Sequence, residues 1–180
     1  LDYTIDADGE ITVRKELNPG IQLPEIPEIG LMFEMSGDYE NLSWYGKGPH
    51  ENYWDRAKGA KIGLYSGKVA DQFVPYLKPQ ECGNKTEVRW ASITDRNGTG
   101  IFITAVADME LNVLPYTPYE LEAYSHPCKL PKSDKVVVRV NFKQMGVGGD
   151  DSWGARTHPE FTLSADRNYV FYFKMKGIKK

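Results

Sequence analysis

The sequence predicts an all-β fold, a large antiparallel β-sandwich with one short helix. Three observations carry that expectation. About ten short segments alternate apolar and polar residues with the period of a strand. Glycine and proline, 17 and 11 of 180 residues, punctuate them closely enough to exclude long helices. A single stretch, Thr117-Pro118-Tyr119-Glu120, has the form of a helix start, a capping box with proline at the first helical position.

The strands follow in order. Glu10 to Leu17 sets Ile11, Val13 and Leu17 against Thr12, Arg14 and Glu16, and Asp8-Gly9 before it predicts a hairpin with Leu1 to Ile5. Asn18 to Pro27 carries Pro19, Pro24 and Pro27 and reads as extended connector. Leu31 to Ser36 and Tyr39 to Tyr45 read as two strands around Gly37-Asp38. Ala60 to Tyr65 and Lys68 to Phe73 are weaker strand patterns, and Lys85 to Ile93 alternates as a strand. Asp95-Arg96-Asn97-Gly98 is a hairpin turn, since Asn-Gly tolerates positive φ at both positions, and Ile101 to Ala107 returns from it. Leu111 to Leu114 is a short strand, and Pro118 to Tyr124 the helix, closed by Pro127 and Pro131. Lys135 to Lys143 is valine-rich and strongly alternating. Glu160 to Ser164 and Asn168 to Lys176 complete the set, the last with aromatics on both faces, which predicts that both are covered.

Size and charge bound the function. One hundred and eighty residues suit a single domain, 1–180, with a core that needs no disulfide. Twenty-two basic against 25 acidic residues give −3 with no basic block, which argues against nucleic acid. No apolar run approaches the roughly 18 residues of a membrane span. The chain opens on Leu1, so it reads as a piece of a larger protein, cytoplasmic or periplasmic with its parent. Cys82 and Cys128 are far apart and read as free thiols.

Three loops break the strand pattern and hold the chemistry. The first is residues 46–56, dense in groups that hydrogen-bond specifically: Glu51, Asn52, Asp55 and Arg56, with an internal ion-pair network as one reading and ligand contact as the other. The second is residues 76–84, with Glu81. The third runs from Met145 through Gly146, Gly148, Gly149, Asp150, Asp151 and Ser152 to Trp153. A glycine-bent acidic loop ending in tryptophan suits a sugar, because carboxylates bind hydroxyls and indole stacks on the C–H face of the ring; a core plug is the competing role for Trp153. Asp150 and Asp151 are candidates for a hard-cation site of oxygen ligands. A retaining glycosidase needs two carboxyl groups about 5–5.5 Å apart, and adjacent Asp150 and Asp151 do not supply that pair. The three histidines each lie beside a proline without metal-ligand spacing.

These same loops resemble a known family. Trp44-Tyr45-Gly46-Lys47-Gly48-Pro49-His50-Glu51-Asn52-Tyr53-Trp54-Asp55-Arg56, Pro79-Gln80-Glu81-Cys82-Gly83-Asn84 with Val88-Arg89-Trp90, and Met145 to Trp153 are similar to three segments of the C-terminal small-chain domain of glycoside hydrolase family 2 β-galactosidases. They occur in the family's order across roughly residues 29–176, while residues 1–28 match less closely. Trp54 stands where the family usually has proline. The resemblance implies a galactose-mutarotase-like supersandwich and a parent that hydrolyses terminal β-galactosides with retention. It implies that the catalytic glutamates and the divalent-cation ligands lie in a separate TIM-barrel domain, so this chain holds no catalytic residue and no cofactor. It implies a sugar contact for Trp153 and a scaffold role for Glu51, Asn52, Asp55 and Arg56; Asp151 beside the indole is a second candidate for binding the substrate, and Glu81 joins the structural loop network. The implied partners are galactose or a β-galactoside and the other domains of the parent. Two alternatives stand beside this: a self-sufficient mutarotase-type epimerase using His126 as acid with Glu51 or Glu81 as base, and a carbohydrate-binding module.

Overall fold

The computed structural model describes residues 1–20, 22–151 and 153–179. Its strands divide between two antiparallel sheets. They are β1 (Asp2–Ile5), β2 (Ile11–Leu17), β3 (Glu28–Ser36), β4 (Asn41–Gly48), β5 (Lys61–Lys68), β6 (Trp90–Thr94), β7 (Gly100–Ala105), β8 (Glu110–Leu114), β9 (Lys135–Gln144) and β10 (Tyr169–Ile178). The larger sheet has the order β1-β2-β10-β7-β6-β4-β5 and the smaller β3-β9-β8. The fold is thus the all-β sandwich that alternation and turn chemistry predict. Among the described residues the one α-helix is α1 (Pro118–Ala123), whose Thr117 cap and Glu120 side chain close the expected box in both directions.

Several elements differ from the sequence expectation, each for a local reason. The strands on either side of Gly37-Asp38 do not pair. β3 joins β9 and β4 joins β5 and β6, so the turn carries the chain from one sheet to the other. The run from Lys85 is not one strand. Lys85 exchanges hydrogen bonds with Leu111 of the smaller sheet, and from Trp90 onward the chain pairs in the larger one. The switch falls at Glu87, which takes a left-handed φ of 51°. Lys68 closes β5 and a 3-10 turn, Ala70–Gln72, follows where strand was expected. Glu160 to Ser164 is also not a strand, for Pro159–Phe161 is a 3-10 turn whose backbone bonds close on His158 and Pro159. At the Asn97-Gly98 turn only glycine has positive φ; Asp95 shapes the turn by accepting from the amides of Asn97 and Thr99. The loop expected from residue 46 begins after Gly48, since β4 extends to that point.

The core lies between the sheets. Val13, Trp44, Ile93, Ile103, Phe171 and Phe173 of the larger sheet meet Leu111, Val113, Val136, Val138 and Val140 of the smaller. β10 is covered on one face only. Tyr169, Phe171 and Phe173 are buried, while Val170 and Tyr172 are exposed, so the expectation of two covered faces fails there. The strands buried on both faces are β8, at all five residues, and most of β9. In β9, Val136, Val138 and Val140 enter the core, and Val137, Arg139 and Asn141 are buried on the opposite side. What covers that second side is the set of polar loops. Cys82 and Cys128 are free, one buried and one exposed. No helix among the described residues is long and apolar enough to cross a membrane.

Phe173→Ala, at a fully buried site, is expected to destabilise the chain by about 3–5 kcal/mol in urea unfolding, whereas Tyr172→Ala one residue away costs less than about 1 kcal/mol. Equal costs would mean that both faces of β10 are packed.

Candidate functional site

The polar loops form a layer on the outer side of the smaller sheet, built around Arg139. Its guanidinium is buried and donates two bonds to Glu81, at 2.9 and 2.8 Å, and one to Glu28 at 2.9 Å. A charge taken out of water costs several kcal/mol unless paired, and two carboxylates answer that cost here. Glu81 also accepts from the Tyr53 hydroxyl at 3.0 Å and from Asn112. Burial and the neighbouring Glu81 and Glu51 carboxylates push the Tyr53 phenol well above its ordinary pKa, so it stays a donor.

Residues 49–56 are tied to residues 76–86 at several points. Glu51 accepts from Arg56 at 2.7 Å, from the Tyr76 hydroxyl, and from the Gly83 amide at 2.7 Å. Asn52 is buried. Its oxygen accepts from the Thr86 amide at 2.9 Å, its amide group donates to the His50 carbonyl, and its backbone pairs with Asn84. Glu110, also buried, accepts from Asn84 at 3.0 Å and from the Gln144 amide. Lys85 is buried and, among the described residues, has no carboxylate partner. It donates to the Gly83 carbonyl, lies 5.2 Å from the centre of the Trp44 ring, and is lowered by burial to a pKa of about 8.

The third loop is fastened at its base and free at its tip. Met145 donates to Pro27, Gly146 donates to Phe161, and Thr157 Oγ1 donates to the Gly146 carbonyl. Asp55 reaches in from the first loop and accepts from the Gly148 amide at 2.8 Å. A Cβ on Gly146 would lie 2.8 Å from the Asp55 carboxyl carbon and 2.8 Å from Thr157 Cγ2, so those side chains would have to move aside. A Cβ on Gly149 would lie 2.1 Å from the Ala155 carbonyl. Asp151 accepts from the amides of Trp153 and Ala155, at 2.8 and 3.2 Å, and so turns the chain around itself. Asp150 is 2.9 Å from Nε2 of His158, whose pKa this contact raises above the usual imidazole value. The Trp153 side chain meets almost nothing and is 91% exposed. Ser152 lies outside the described residues.

The structure therefore places Trp153 in solvent and brings Asp55 and Asp151 to the backbone that carries it. It does not bring His126 to the carboxylates of the epimerase alternative. His126 is exposed and faces the Leu77 carbonyl, while Glu51 and Glu81 are committed to the partners above. Among the described residues no group of three or more His, Cys, Asp or Glu side chains is gathered to hold a metal. Asp150 and Asp151 instead serve His158 and the turn. Sequence reasoning passed over Arg139, Glu28, Tyr76 and Glu110. For Arg139 a signal existed, one arginine inside Val136-Val137-Val138-Arg139-Val140, where a charge amid valines implies a buried partner.

Residues 1–175 match the family model described as beta galactosidase small chain. Similar proteins include the β-galactosidase of Priestia megaterium (strain DSM 319 / IMG 1521), 58% identical over 98% of this chain and 17% of the relative. That of Halalkalibacterium halodurans is 46% identical over 98% of this chain and 18% of the relative. That of Streptococcus thermophilus is 38% identical over 98% and 17%. The chain thus spans 17% to 18% of the length of these relatives.

Two outcomes check the loop geometry. Asp55→Ala removes the acceptor for Gly148 and is expected to speed hydrogen exchange at that amide roughly tenfold or more, the scale of one bond to a charged acceptor; unchanged exchange rejects the tether. His158 is protonated more readily when folded, so the contact with Asp150 holds the loop below the ordinary imidazole pKa and is lost as pH rises through the raised value. An NMR titration should show that raised value falling toward normal in Asp150→Asn.

Proposed function

This chain belongs to the β-galactosidase small-chain family, and from that premise we propose that it is a non-catalytic domain of a retaining β-galactosidase. It closes one wall of an active site whose carboxylates lie in another domain, and it offers Trp153 as an apolar platform for the sugar. The observation that carries this reading is the exposure of Trp153 on a loop whose base is fixed. A large apolar side chain left in water at the end of a constrained turn is suited to an outside surface, and indole matches the C–H face of a pyranose. Asp151 acts through the backbone that bears the indole. Glu51, Asn52, Asp55, Arg56 and Glu81 serve as scaffold, because their polar groups are turned toward one another and toward the two neighbouring loops. A divalent cation, where the parent uses one, belongs to its other domains.

Kinetics of the full-length enzyme test the reading. Trp153→Ala is expected to lower kcat/KM for a β-galactoside roughly 5- to 150-fold, the equivalent of about 1–3 kcal/mol for one large apolar contact. Unchanged KM and kcat would remove the role. The isolated chain is expected to hydrolyse no galactoside. Micromolar binding of galactose or lactose to it in calorimetry would point to a binding module instead.

A further inference from the structure

A cavity of about 310 Å3 opens where the chain leaves the smaller sheet for the larger, and Thr86 and Glu87 of that crossing line it. β8 begins at Glu110, which faces Asn141 of β9, so the last residues of β9 have no strand neighbour on that side among the described residues. The Glu110 side chain stands in for the missing neighbour by accepting from the Gln144 amide at 3.0 Å. Lys143 and, from the first loop, Trp54 complete the walls.

Two of these lining residues carry polar atoms that the fold leaves unused. Glu110 is 2% exposed, and its Oε1 has no hydrogen-bond partner among the described residues. Lys143 Nζ stands 3.4 Å from that oxygen, beyond ordinary bonding distance, and 4.9 Å from the centre of the Trp54 ring. Trp54 Nε1 is buried and likewise unpartnered among the described residues. Buried donors and acceptors left unpaired are costly and few in natural structures. Trp54 stands where the family motif usually has proline, a residue that brings no such donor. Charge narrows what the cavity can hold. Lys47 and Lys143 line it together with Glu87, Asp108 and Glu110, and Lys47 is already bound to Glu87 at 2.6 Å. Two ammonium groups disfavour a bare cation, and three carboxylates disfavour an anion. An unpaired donor and an unpaired acceptor disfavour an apolar molecule.

We propose that this cavity is a second small-molecule site, which takes a neutral polyhydroxylated compound the size of a monosaccharide. A hydroxyl both donates and accepts, so one such molecule answers both unused groups. One hydroxyl would donate to Glu110 Oε1, and others would accept from Trp54 Nε1 and Lys143 Nζ. The volume lies at the lower end of the about 300–1,000 Å3 of ligand pockets, which suits one sugar ring rather than a chain. Trp153 is not in the lining, so the site is independent of the role of that indole.

An NMR titration of the 180-residue chain tests the site, with D-glucose, D-galactose and sorbitol as neutral probes and sodium chloride and inorganic phosphate as charged ones. At least one neutral probe is expected to shift the Trp54 indole N–H and the Thr86 and Glu87 amides, saturating on the order of 1 mM. Sorbitol against the two sugars tells an open-chain polyol from a pyranose. Glu110→Gln keeps the shape of the side chain and should weaken binding at least about tenfold, the scale of one bond to a charged group. Trp54→Phe keeps an apolar wall without the donor and should weaken it roughly three- to tenfold, read on the Thr86 and Glu87 amides. Trp153→Ala should leave binding unchanged. Three results overturn the proposal. No neutral probe moves the Trp54 indole signal; or only the salt or the phosphate moves it; or Trp153→Ala abolishes a binding that both cavity variants retain.

Discussion

The buried guanidinium of Arg139 is the interaction on which the layered structure depends. It stands on the side of β9 away from the core and binds carboxylates from two distant points of the chain, Glu28 at the start of β3 and Glu81 in the second loop. The planar guanidinium presents its donors in a fixed fork that holds both carboxylates in one geometry, which a compact ammonium on a flexible stem does not impose. The arrangement fixes the second loop onto the smaller sheet, and Tyr53 and Asn112 extend it through the same Glu81 oxygen. Losing one partner would leave a charge without water or counter-charge, the most unfavourable state for such a network.

From this layer the order passes outward to the third loop. Glu51 and Asn52 fasten the first loop to the second, and Asp55, at the end of that first loop, binds the backbone at Gly148. The glycines at 146 and 149 permit backbone and carboxylate to approach where a side chain would collide. Rigidity therefore accumulates at the base of the loop, and the indole at its tip is the part left uncommitted.

Alternation in β2, β4, β9 and β10 was readable because one face of each meets the core. The capping box at Thr117 was readable because it is a contact between neighbours in sequence. Strand patterns at Lys68 and Glu160 misled for the opposite reason, since alternation there was too short to outweigh turns closed by backbone hydrogen bonds. In the run from Lys85 the alternation was real, but one chain segment served two sheets in succession. The functional loops could be located from composition, through their density of polar and aromatic residues. Which polar group meets which could not, because Glu28 and Arg139 are separated by 111 positions.

By itself the sequence determined the sandwich class, most strands, the helix and the three loops, since periodicity and turn chemistry act over a few residues. It also carried the family motifs. Only the tertiary structure decided which strands share a sheet, that β9 is buried on both sides, and that Trp153 faces solvent rather than the core. Those outcomes depend on contacts between residues far apart in the chain, where burial of charge and the width of opposing sheets select one arrangement among many that local pattern allows.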